Sequence, residues 1–138
     1  MSNRAIVLFV LRATGVAMLG ALVFVFCPFG WIVAIHARMG LGTLEYTPVA
    51  SYLIRTLSAM YAVLGALLLF MSSDVMRYRE LIRFFGGIAV VGGLAVTVFD
   101  AALRLPLWWT VLEGPLTMGM GAVLVVMGRR IRGLRRVR

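Results

Sequence analysis

Lysine is absent from this chain, which has one cysteine, one histidine and five acidic residues in 138. Each scarcity closes a door. Cys27 alone forms no internal disulfide and cannot supply the Cys-x-x-Cys pair of a membrane thiol oxidoreductase, so the redox compartment is not legible from it. With His36 the only histidine, a bis-histidine haem within one chain is impossible. The acidic residues and one histidine give no metal-ligand cluster of useful spacing. Ser51 and Ser58 have no nearby histidine to activate them as nucleophiles. No cofactor and no metal are expected.

What fills the chain instead is hydrocarbon. It is 62% hydrophobic and 14% charged, with a mean hydropathy of +1.01. A soluble domain of this length needs far more polar surface, so the bilayer is the solvent for most of it. At about 20 apolar residues per span, four spans and short loops use the whole length. The sequence therefore predicts an all-α integral membrane four-helix bundle, a single domain with no water-soluble partner domain.

The spans fall at about 5–27, 49–71, 84–103 and 107–128. The apolar run from Ala5 to Cys27 is too long for a signal peptide and is followed by no small-x-small cleavage site, so it reads as a retained first span. Ala13, Ala17 and Ala21 form a small-xxx-small ridge there, and Ser58, Ala62 and Ala66 form another in span two. Arg12 lies roughly 10 Å in from the end of span one and is expected to snorkel to the headgroups. Between Phe29 and Pro48, residues Trp31, Ile32, Ile35, Met39 and Leu41 suit a short helix in the interface, with His36, Arg38, Glu45 and Tyr46 as its polar members. Gly86, Gly87, Gly92 and Gly93 in span three lack the strand-turn-helix setting of a nucleotide site and fit close helix packing. Span four must start near Leu107 to be long enough, which puts Trp108 and Trp109 at the interface and Glu113-Gly114-Pro115 inside the helix. Pro115 cannot donate to the carbonyl of Val111, so a bend is expected beside Glu113.

All fourteen basic residues are arginine and the net charge is +9. Arg4, the central-loop Arg77, Arg79 and Arg83, and the six arginines from Arg129 onward fall on one side, against Arg38 and Arg104 on the other. The positive-inside rule then puts both termini in the cytoplasm. The tail RRIRGLRRVR follows a span directly, so its expected partner is anionic lipid and not nucleic acid.

Charged groups within the spans need a partner or a purpose. Arg55, Asp100 and Glu113 all fall in the outer half, Arg55 and Glu113 at roughly 10 Å depth and Asp100 at about 5 Å. Thr97, Asp100 and Arg104 share a face of span three; Thr110, Glu113 and Thr117 share one of span four; Ser51, Arg55 and Ser58 share one of span two. The candidate cluster is Arg55, Asp100, Glu113 and Arg104, completed by Tyr52 and Trp109. Two accounts stay open. Asp100 precedes Arg104 by four residues, the favourable order for a helical ion pair, and Arg55 and Glu113 are expected to meet between helices, so the charges form an architectural network. Alternatively they form a ligand or proton site.

The run Arg55-x5-Tyr61-x3-Gly65, with Asp100 near the end of span three and Glu113 near the start of span four, resembles the DoxX-like group of small bacterial four-helix membrane proteins. The similarity covers about Ser51 to Val126. Span three departs from the group in carrying Thr97-Val-Phe-Asp100 where related chains often have a Gly-Arg pair. The resemblance implies a bacterial inner membrane location and a loose association with quinone-linked redox complexes. Three functions follow in order: an accessory subunit of a larger membrane complex or a binder of a small lipophilic molecule; an enzyme using Glu113 or Asp100 for acid-base work on a quinone-like substrate; and a small transporter. Span one carries no carboxylate, which counts against the small multidrug exporters.

Overall fold

The computed structural model describes residues 2–131, and among these every regular element is helical. The elements are α1 (Asn3–Leu19), α2 (Leu22–Phe26), α3 (Phe29–Arg38), α4 (Pro48–Ser73), α5 (Arg79–Ala102) and α6 (Leu107–Arg130). Among the described residues four helical stretches are long and apolar enough to cross a membrane: Asn3–Phe26, Pro48–Ser73, Arg79–Ala102 and Leu107–Arg130. The chain divides into two compact units, one of Met1–Arg12 with Phe70–Arg138 and one of Ala13–Leu69. Of the arginine tail, Arg129 and Arg130 end α6, and the residues beyond Ile131 lie outside the described part.

The first unit is dominated by α5 and α6, an antiparallel hairpin closed by the four residues Leu103 to Pro106. Its seam is glycine. Residues buried on α5 are Ile82, Gly86, Gly93 and Asp100, and on α6 Gly114, Gly121, Leu124 and Gly128. A Cβ placed on Gly86 would lie 2.8 Å from the Gly121 carbonyl oxygen, and one on Gly93 would lie 2.7 Å from that of Gly114. The backbones touch twice, one heptad apart, because hydrogen at these positions removes the side chains that hold helices at 8–10 Å. The third α5 position in that heptad is Asp100.

At the opposite end of the hairpin α5 starts earlier than the apolar pattern implies, at Arg79 instead of Phe84. Glu80 explains the extension. In the first turn of α5 it meets the positive helix terminus and binds Arg79 at 2.8 Å and Arg83 at 2.7 Å. Arg79 also donates from Nη1 to the carbonyl of Ile131 at 3.1 Å, tying the start of α5 to the end of α6.

In the second unit α1 and α4 cross at Gly15 and Gly65. A Cβ on Gly65 would lie 2.6 Å from both the Gly15 carbonyl oxygen and the Leu19 nitrogen. The crossing falls beside the expected ridge of the first span, where Ala13 and Ala17 are exposed and Gly15 is buried; of the ridge expected in the second span, Ser58 and Ala62 are buried next to Gly65 and Ala66 is exposed. Glycine wins because its carbonyl and Cα reach a neighbour that an alanine methyl keeps away. The first span is also interrupted. Near Gly20 and Ala21 the ladder tightens, with Ala21 N–H donating to Met18, Val23 to Gly20 and Phe24 to Ala21, each three residues back. Pro28 then separates α2 from α3, the helix foreseen between the first two spans. Arg12 is exposed, as snorkelling requires.

Candidate functional site

Two helices close with the same device. At the end of α3, Gly40 has φ +72°, with Gly40 N–H donating to Ala37 and Leu41 N–H to His36. At the end of α5, Arg104 has φ +54°, with Arg104 N–H donating to Ala101 and Leu105 N–H to Asp100. Both are Schellman motifs, and the left-handed position is ordinarily glycine. Arginine here costs about 1 kcal/mol of backbone strain. The turn also removes residue 104 from the helical register that would lay its side chain over Asp100. The ion pairs among the described residues are those of Glu80 with Arg79 and Arg83, so the expected Asp100–Arg104 pair does not form.

Asp100 is thus a carboxylate without its nearest cation. It is 5% exposed, and its Oδ2 is buried with no hydrogen-bond partner. Such an atom is rare enough in a folded protein to require a reason. Its position comes from the seam: Gly114 packs on Thr97, Asp100 lies one turn beyond Thr97, and Glu113 directly precedes Gly114. Asp100 on α5 and Glu113 on α6 thus stand towards the same end of the hairpin, and Trp109 lies one turn before Glu113 on α6. Trp108 and Trp109 meet edge to face, with ring centroids 5.5 Å apart.

Two threonines of the expected polar faces are engaged locally. Thr97 Oγ1 donates to the Gly93 carbonyl and Thr117 Oγ1 to that of Glu113, both at 2.7 Å. Their hydroxyl protons serve their own helices, and the Thr97 oxygen fills the hollow over Gly114. Helix α6 is continuous through Pro115.

Arg55 and Tyr52 belong to the second unit. The Arg55 guanidinium donates to the Val25 carbonyl from Nη1, to the Cys27 carbonyl from Nη2 at 3.1 Å, and to Ser51 Oγ from Nε at 3.4 Å. These carbonyls end α2, where Pro28 follows and the helix offers them no donor. The half-buried arginine is therefore a side-chain cap on a broken span, a role that apolar periodicity does not reveal. Tyr52 is exposed.

Within the first unit, then, the structure assembles Asp100, Glu113 and Trp109 and turns Arg104 aside. Among the described residues no group of three His, Cys, Asp or Glu side chains is placed to hold a metal ion. The glycine register is the element that the polar spacing alone misses, and its signal is the seven-residue repeat Gly86/Gly93 and Gly114/Gly121/Gly128. These features define a multi-pass α-helical membrane protein with a buried aspartate and a half-buried glutamate near a hairpin turn. Comparison with family models, curated proteins and solved structures gives no match to this chain.

Proposed function

We propose that this protein binds a small lipophilic molecule at the turn of the α5–α6 hairpin, either on its own or as an accessory subunit of a larger membrane complex. The observation that carries the proposal is the buried, unpartnered Oδ2 of Asp100, at the same end of the hairpin as Glu113. An architectural carboxylate would be neutralised by a neighbour, and Arg104 is available in sequence but turned away. An unpaired charge in hydrocarbon costs about 2.5–3.5 kcal/mol on insertion scales, so a carboxyl kept there without a partner points to a purpose.

The residues around it favour a ligand that arrives through the membrane. Phe99, Leu103, Leu107 and Leu112 are large, apolar and exposed near the same end of the hairpin. With both termini cytoplasmic, as the arginine distribution supports, this end lies at the outer face of the bacterial inner membrane. The DoxX-like resemblance, through Asp100 and Glu113, supports the same placement. Acid-base catalysis on the ligand would use the same two carboxyls.

The test is chemical extraction. Protein purified in mild detergent is expected to retain a lipophilic compound in fixed ratio, and Asp100→Asn and Glu113→Gln are expected to lose it. If the wild type and both variants yield only the bulk lipids of the membrane in the same proportions, the binding assignment is wrong. Turnover of the compound by the wild type and not by the variants would convert binder to enzyme.

A further inference from the structure

The chemistry at this turn also bears on the class of ligand. Two carboxyls, Asp100 on α5 and Glu113 on α6, stand towards the turn end of the glycine seam. One is buried with an unpartnered oxygen. The sequence supplies a compensating arginine four residues later, and the left-handed conformation at Arg104 leaves it exposed and out of the ion pair. What these carboxyls lack is a positively charged partner. Beside it stand two indole rings packed edge to face, whose π faces attract cations, and the flanking surface is apolar.

We propose that the α5–α6 turn binds a lipophilic monocation. Its charge rests against Glu113 with Asp100 behind it, and its apolar groups lie along the exposed faces of the two helices towards the bilayer. Protonated amines, quaternary ammonium and phosphonium ions share this chemistry. Neutral ligands leave the acidic pair uncompensated, and anions are repelled by it. The inference rests on the binding function proposed above and adds the sign of the ligand's charge.

Tetraphenylphosphonium and tetraphenylborate make the test direct, being nearly equal in size and opposite in charge. In protein carrying Trp31→Phe, emission comes only from Trp108 and Trp109. The phosphonium is expected to quench it saturably, and the borate to bind at least about tenfold more weakly, the scale of one charge-assisted contact. Glu113→Gln and Asp100→Asn should each weaken the phosphonium by about tenfold or more on the same scale. Should one variant fail to purify, the other carries the same comparison.

Equal binding of the two ions, or phosphonium binding that survives both substitutions, overturns the inference. If the ions bind alike while solvent extraction still finds a neutral compound lost from the carboxyl variants, the ligand is neutral and the binding function stands. If neither ion quenches and no compound is retained, both fall together.

Discussion

Arg104 and Arg55 show how differently two arginines in one membrane protein are used. Arg104 occupies a left-handed position with its backbone bonds in place, so its side chain does not determine whether the turn forms, only how much strain it carries. Arg104→Gly should raise the melting point in detergent by the equivalent of about 1 kcal/mol. Arg104→Ala, which removes the charge but keeps a Cβ, should gain little. Equal gains from both would show that charge and not backbone strain sets the effect. Arg55 is the reverse case, because its forked guanidinium bonds the Val25 and Cys27 carbonyls. Arg55→Met should destabilise by about 1–3 kcal/mol, the usual cost of leaving buried polar groups unsatisfied. Arg55→Lys should recover only part of that, since a single ammonium does not reproduce the fork. A melting point for Arg55→Met within error of wild type would mean that water or another donor serves those carbonyls.

The hairpin of α5 and α6 depends on where its glycines are, and not on how many it has. A Cβ at Gly114 would stand 2.0 Å from Thr97 Oγ1 and 2.7 Å from the Gly93 carbonyl oxygen, whereas one at Gly87, Gly92 or Gly119 would meet nothing within 4 Å. Gly114→Ala should therefore cost about 1–3 kcal/mol or more, because backbone as well as side chain must move. Gly92→Ala should stabilise by about 0.5–1 kcal/mol through helix propensity alone. Thermal unfolding in one detergent compares them, and similar losses at Gly92 and Gly114 would contradict the observed register. The same contrast shows what was legible beforehand. Four apolar runs and a Gly-rich third span foretell the helices and their close packing. Glycine content alone does not say which of Gly86, Gly87, Gly92 and Gly93 face α6; only the seven-residue repeat that links Gly86 with Gly93, and Gly114 with Gly121 and Gly128, separates them from their neighbours. Asp100 and Glu113 are visible as costly charges on two spans. That Asp100 sits in the seam, and that Arg104 turns away from it, depends on a backbone angle with no signature in an arginine. The tightening near Gly20 and the cap on its far side by Arg55 are hidden for a related reason: the hydropathy of the first span runs through the break unchanged.

For the whole molecule, the question that sets the meaning of the site is which way the four spans face. Length and hydropathy establish the spans, but they are symmetric with respect to the two sides of a membrane, and only charge breaks the tie. Arg4 lies in the first turn of the first span, Arg77, Arg79 and Arg83 lie between the second and third or in the first turns of α5, and Arg129 and Arg130 end the fourth. Between the first and second spans, and between the third and fourth, the described arginines are Arg38 and Arg104 alone. Translocating the arginine-rich side would carry more positive charge against the membrane potential, at about 2.3 kcal/mol per charge per 100 mV. The bias supports the proposed orientation, with the termini and the Arg79–Glu80–Arg83 cluster in the cytoplasm and Asp100 and Glu113 on the far side. Reporter fusions at Met39 and Leu105 should behave as periplasmic, and those at Tyr78 and Arg138 as cytoplasmic. A cytoplasmic signal at Leu105 would reverse the orientation and move Asp100 and Glu113 to the inner leaflet. The chemistry proposed for the pair would survive that reversal, but its ligand would then reach it from the cytoplasmic leaflet.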